Sequence, residues 1–247
     1  MNRVLPCILI FLILTGPSCG TVYRAEKKEH RNISIQPDSG WLQGAGYDAA
    51  RQLIEPYKKK VDTETQLVIG STEVILLRQK PEGTLCNLAA DAVKEKAEQL
   101  AYQRIDLCVL NYGGLRIPSI GKGDITTGKV FELMPFENEL VLLTVKGSTL
   151  KELFHIMALN GGWPVSGAAF RIKDQDAIEI QIGQVALDSA ATYQLVTSDY
   201  LANGGDNASC LKEAIHRKDL HYKVRDAITD YIKLHSPLNL SLQGRIR

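Results

Sequence analysis

Residues 105–116 read Ile105-Asp106-Leu107-Cys108-Val109-Leu110-Asn111-Tyr112-Gly113-Gly114-Leu115-Arg116. The short, nearly continuous apolar run has the pattern of a buried strand, and it passes straight into a loop holding a glycine pair and an arginine. Glycine lets backbone approach a ligand closely, so Gly113 and Gly114 mark this loop as a candidate pocket wall. Two stretches far along the chain share that character: Pro135-Phe136 and Asp199-Tyr200-Leu201-Ala202-Asn203-Gly204-Gly205-Asp206-Asn207. Arg116 suits a phosphate, Phe136 and Tyr200 offer ring faces for a base, and Asp206 can accept from sugar hydroxyls.

Outward from that strand, apolar periodicity predicts a helix over 46–60, a strand or strand pair over 66–78 and a helix over 84–101 with Thr84 as its cap. A turn and short helix are expected over 123–133, a strand over 139–145 and a helix over 148–159 ended by Gly161-Gly162. Strands follow at 170–172, 178–182 and 193–197, and two helices from about Ser209 and Val224 close the chain. Strands and helices interleave without the regular spacing of parallel units. The expected class is α/β with mixed sheets, a layered arrangement rather than a doubly wound sheet. No internal repeat is visible.

The 247 residues are 45% hydrophobic and 23% charged with a net charge of +1, an ordinary globular balance without the basic excess of a nucleic-acid groove. Residues 1–19 combine Arg3, an apolar run from Val4 to Leu14 and small residues at Gly16, Ser18, Cys19 and Gly20. That is an export signal; the run is short of the roughly 20 residues of a membrane span. Cys19 is the expected lipidation site of a bacterial lipoprotein, which would hold the protein to a membrane on the periplasmic or outer-membrane side. Ordinary cleavage is the first alternative, since Gly16 and Pro17 suit lipoprotein processing poorly, and a retained anchor the second. Residues 20–39 are polar and read as a tether, leaving 40–247 as the folded domain. Of the five cysteines, Cys86, Cys108 and Cys210 remain in the mature part, an odd number without metal-ligand spacing. Buried thiols are the simpler reading for Cys86 and Cys108.

The loop 111–116 resembles the Asn-x-Gly-Gly-Ile-Arg loop of the C-terminal, substrate-binding domain of the 5′-nucleotidase family. Other motifs of that family stand in the same order: Gly123-Asp124-Ile125-Thr126, Pro135-Phe136, Lys146-Gly147-Ser148-Thr149-Leu150 and Tyr200 to Asp206. Upstream, Glu82 to Ala92 is similar to a signature in which Cys86 replaces glycine, and Gly244-Arg245-Ile246 has a counterpart at the end. The resemblance spans about Gly46 to the C-terminus and implies a layered α/β/β/α fold.

It also implies roles. Phe136 and Tyr200 would sandwich a nucleobase, Asp206 would accept from two ribose hydroxyls, Asn111 would bond the base or sugar edge, and Arg116 would hold a phosphate. Gly113, Gly114, Gly204 and Gly205 would be the pocket glycines. Each residue has a plainer alternative: core rings, a turn aspartate capping its own backbone, a strand-end asparagine, a surface ion pair. The family's second phosphate-binding arginine falls at Gln79, with Arg78 beside it as the candidate replacement. A one-residue shift along a strand turns the side chain to the other face, so phosphate affinity is open at this point.

Complete members begin with a metallophosphoesterase domain whose Asp, His and Asn ligands hold two metals. The five histidines here, His30, His155, His216, His221 and His235, stand in no such motif, and no Ser/His/Asp or Cys/His set is legible. The expectation is a chain with no catalytic residues, cofactor or metal of its own. It would recognise a nucleoside or nucleotide while a separate metallophosphoesterase supplies two divalent metals in nucleotide catabolism. The alternative is a surface lipoprotein that binds nucleosides or nucleotides without catalysis.

Overall fold

The 107–109 run occupies an inner position of the largest sheet, with strands on either side of it. The computed structural model describes residues 45–247; the expected export signal, Cys19 and the tether at 20–39 lie outside the described residues. In chain order the elements are α1 Ala45–Thr65, β1 Val68–Thr72, β2 Leu76–Leu77, α2 Thr84–Ala101, β3 Leu107–Val109, β4 Ser119–Ile120, β5 Gly123–Thr126, α3 Thr127–Leu133 and β6 Glu139–Lys146. There follow α4 Gly147–Leu159, β7 Val165–Ser166, β8 Ala168–Lys173, β9 Asp176–Ile182, β10 Val185–Ala186, β11 Thr192–Ser198, α5 Asp199–Ala202, β12 His216–Lys223 and α6 Val224–His235. Arg51–Arg247 forms one compact unit.

The main sheet has the order β12-β6-β11-β3-β7. Only β11 and β3 run parallel; the other neighbours are antiparallel, giving the mixed α/β architecture expected. Alternation of side chains explains the unbroken apolar strands. Cys108, Leu140, Leu142 and Val196 join one core with α2, α3 and α6. Their neighbours Leu107, Val109, Val141, Leu143 and Leu195 join a second core with α4 and the β8–β9 hairpin. There Phe154 meets Phe170 edge-on, with centroids 5.1 Å apart. Both faces are covered, so neither carries a polar stripe.

The strand directions position everything else. Strands β3 and β11 are parallel, so the loops leaving their C-terminal ends emerge side by side. Strand β6 is antiparallel to β11, with Leu140 opposite Ser198, so the segment entering β6 reaches the same edge. Lys223 pairs with Glu139, which brings the start of α6 there too. Such an edge, where parallel strands end, is a common place for a ligand site.

Several expectations need correction. The first helix runs on to Thr65, and the 123–126 turn is a strand pairing with β1. Gly83, not Thr84, is the N-cap of α2; the Thr84 hydroxyl instead accepts from the Leu77 N–H at 2.9 Å. The helix expected from Ser209 is a short 3₁₀ segment, Ser209–Glu213, and β12, not foreseen, follows it. As an edge strand β12 is largely exposed and so carries His216-Arg217-Lys218-Asp219, a polar run with no strand signature.

The Glu82 to Ala92 signature turns out to fasten the chain's end. The buried Glu82 accepts from Asn87 Nδ2 (2.7 Å), Gln243 N (2.9 Å) and Arg245 N (3.1 Å). Arg245 grips Asp91 through both terminal nitrogens at 2.9 and 2.7 Å. The tail then lies along β8, with Ile246 bridged to Phe170. Cys86, Cys108 and Cys210 are all buried free thiols, and burial lifts the Cys86 and Cys210 pKa to about 11. No helix among the described residues is long and apolar enough to cross a membrane.

Candidate functional site

A cavity of about 310 Å³ opens at the shared sheet edge. Asn111, Gly113, Gly114 and Arg116 reach it from the loop after β3, Phe136 and Asn138 from the segment before β6, and Tyr200 and Asp206 from beyond β11. Thr197 Oγ1 donates to Val109 O at 2.7 Å in the buried sheet, locking together the two strands whose ends feed the site.

Phe136 is 41% and Tyr200 43% exposed, so neither ring is spent in the core. Phe136 lies in the loop after α3, whereas Tyr200 sits in the first turn of α5, capped by Ser198 Oγ, which accepts from Leu201 N at 3.3 Å. Asp199 ties the two rings' supports together. Its Oδ1 accepts from Asn138 Nδ2 at 3.0 Å and from Tyr200 N at 2.8 Å.

Asp206 is held by its neighbours. Tyr200 Oη donates to Oδ1 and Asn111 Nδ2 to Oδ2, both at 2.8 Å. The nearby carboxylate raises the Tyr200 pKa by favouring the protonated phenol. Asp206 has φ of +49°, in the left-handed region that costs a non-glycine residue energy, and the cost is met by a tight loop that aims its carboxylate. Gly204 and Gly205 do not line the cavity. They shape the turn behind it: Gly204 has φ of +87°, and a Cβ at Gly205 would stand 2.4 Å from Tyr200 Cε1. A larger residue at Gly205 would displace the ring.

Arg116 lines the cavity with its guanidinium carbon 5.9 Å from the centre of the Phe136 ring, and its Nη1 donates to Gly113 O at 3.3 Å. No carboxylate pairs with it among the described residues. Arg78 behaves differently. It does not line the cavity; it donates to Leu115 O at 2.5 Å and lies 4.7 Å over the Tyr112 ring. Its charge braces the loop that carries Arg116.

Asn138 and Ser198 were not singled out from sequence, yet both line the cavity. The signal for Asn138 was its place two residues after Phe136; Ser198 reads as an ordinary strand end. Among the described residues no three His, Cys, Asp or Glu side chains gather as a metal site requires. Asp206 is the one carboxylate that lines the cavity among the described residues.

Residues 68–213 match the family model described as 5′-nucleotidase, C-terminal domain. The chain is 30% identical over 220 residues to the trifunctional nucleotide phosphoesterase protein YfkN of Bacillus subtilis, covering 80% of this chain and 15% of that one. Protein UshA of Yersinia enterocolitica is 27% identical over 197 residues, covering 77% of this chain and 35% of its own. Among solved structures, the 5′-nucleotidase precursor from Thermus thermophilus aligns with a TM-score of 0.70 at 30% identity, over 81% of this chain and 43% of that one. The chain belongs to the 5′-nucleotidase C-terminal domain family. It spans less than half the length of each of these relatives.

Proposed function

We propose that residues 51–247 recognise a nucleoside or nucleotide for a 5′-nucleotidase-like phosphoester hydrolase acting in nucleotide catabolism. The observation that carries this reading is the convergence of two half-exposed rings, Phe136 and Tyr200, with the Asp206 carboxylate and the Arg116 guanidinium around one cavity. A flat base fills the space between ring faces, vicinal hydroxyls meet Asp206, and a phosphate meets Arg116. The hydrolysis itself falls to a two-metal metallophosphoesterase on a separate chain, for which this domain orients the ester. The protein is exported and lipidated at Cys19, on the periplasmic side or at the outer membrane.

One observation favours the second reading, a surface lipoprotein that binds nucleosides without catalysis. Arg116 is the one cation lining the cavity among the described residues, because Arg78 is committed to Leu115 O and Tyr112. A single fork gives modest phosphate affinity. Isothermal titration of the full chain with adenosine, AMP and ribose 5-phosphate tests both. Saturable binding of adenosine and AMP supports base recognition. AMP favoured by more than about tenfold, a difference of about 1.4 kcal/mol, supports the hydrolase reading. No binding of any base-containing ligand defeats both.

A further inference from the structure

We propose that Arg225 is a positioning residue of the base site: from the first turn of α6 its guanidinium holds segment 134–137 in the shape that presents the Phe136 ring to the cavity. This rests on reading the cavity as a base site. The segment is an irregular connection between α3 and β6, so its backbone carbonyls have no ladder partners and need others. Arg225 supplies them. Its Nη1 lies 3.4 Å from both Met134 O and Phe136 O, and its Nη2 donates to Glu137 Oε1 at 2.6 Å. The adjacent Val224 N–H donates to Asn138 O at 2.9 Å, so two consecutive residues of α6 hold the segment and the residue that follows it.

The geometry depends on arginine. The side chain is only 6% exposed, and its guanidinium carbon sits 4.1 Å from the centre of the Phe131 ring, which closes the other side. A planar fork reaches two carbonyls and a carboxylate at once, whereas an ammonium is a point charge that cannot span them. Lys223 also pairs with Glu137, but it is 41% exposed and reaches only the carboxylate. Among the described residues Arg225 Nε meets no acceptor, although such buried donors are rare. The side chain is thus placed for its terminal nitrogens, on the carbonyls of Met134 and Phe136.

Arg225 does not line the cavity, so it acts through the ring and its effect is bounded by the ring's own. The test compares wild type with Arg225→Lys, Glu137→Gln and Phe136→Ala, the Arg225→Lys/Phe136→Ala double variant, and Arg245→Lys as a buried arginine in the tail clamp. Two readouts are taken on the full chain: adenosine titration, and the ¹⁹F resonance of Phe136 after labelling all five phenylalanines, assigned by its loss in Phe136→Ala. Arg225→Lys is expected to weaken adenosine about 5- to 50-fold, within the range that losing one base–aromatic stack allows. Its added effect in the Phe136→Ala background is expected to be less than about twofold, the non-additivity of residues acting as one unit. Glu137→Gln, an exposed and readily folded change, should move the Phe136 resonance in the same direction. Arg245→Lys should lower Tm while leaving both readouts unchanged.

An unmoved Phe136 resonance in Arg225→Lys and Glu137→Gln overturns the proposal, as do fully multiplicative effects of Arg225→Lys and Phe136→Ala. If wild type binds no adenosine, the base-site reading fails by itself. The resonance then still decides whether Arg225 sets the position of the ring. Should Arg225→Lys not fold, Glu137→Gln alone decides by the same criterion.

Discussion

Replacing Phe136 by alanine separates a ligand-binding ring from a core ring, because the two roles predict opposite ratios of affinity loss to stability loss. Truncating a fully buried phenylalanine costs about 3–5 kcal/mol of stability. Phe136 keeps 41% of its surface exposed, so its share falls to about 2–3 kcal/mol at most. One lost base stack, by contrast, costs about 1–3 kcal/mol of binding, or roughly 5- to 150-fold in Kd. Arg116 also loses the ring face 5.9 Å from its guanidinium carbon, a minor contact worth about 0.5–1 kcal/mol at an exposed site. The assay is calorimetric titration with adenosine, AMP and ribose 5-phosphate, with urea unfolding on the same preparations. Adenosine and AMP should weaken together, while ribose 5-phosphate, which has no base to stack, should change by less than about twofold. A folded variant that binds adenosine as wild type does, or that loses ribose 5-phosphate equally, refutes the base-stacking role.

Further outcomes follow from the same geometry. Asp206→Asn removes the carboxylate that raises the Tyr200 pKa, so phenol absorbance should titrate at lower pH than in wild type. Because the folded-state value is raised, this pair's stabilisation is complete below about pH 10 and declines as pH climbs through the folded-state pKa. Glu137 has the opposite sign: hydrogen bonds from Lys223 and Arg225 lower its pKa to about 2. Its contribution should persist above about pH 4.5 and fade towards pH 2 in acid-unfolding curves, and Glu137→Gln should abolish that dependence. Arg245→Ala leaves the largely buried Asp91 carboxylate unpaired and should cost about 3–5 kcal/mol in urea unfolding, with adenosine binding intact in the folded fraction. Cys86 and Cys210, with pKa values of about 11, should resist iodoacetamide at pH 8 until the chain is unfolded, as peptide mapping would reveal.

What the sequence made legible was whatever tertiary contacts impose at regular spacing. Strands β3, β6 and β11 are buried on both faces, so their apolar runs stood out, and α2 was marked by apolar residues on one side. Strand β12 left no such trace, because an edge strand needs only backbone pairing and fills its side-chain positions with charge. Strand β5 was hidden because Ile125 alone among its four residues is buried. At the site, residues within glycine-rich or proline-flanked loops were found, since those loops have sequence signatures. Arg78 illustrates the limit: proximity in sequence suggested phosphate binding, while the strand-end geometry turns it to Leu115 O. Arg225 was missed because a lone arginine at a helix start looks like any surface cation; its burial depends on a segment 88 residues away. Sequence order could not reveal that four separate segments share one sheet edge; strand direction does.

We propose that the two rings grip a base while the carboxylate holds its sugar. A crystal of the full chain grown with adenosine addresses it directly. Such a crystal should show a base lying between Phe136 and Tyr200 with ribose hydroxyls on Asp206. Adenosine bound elsewhere, or this cleft empty at saturating ligand, would contradict it.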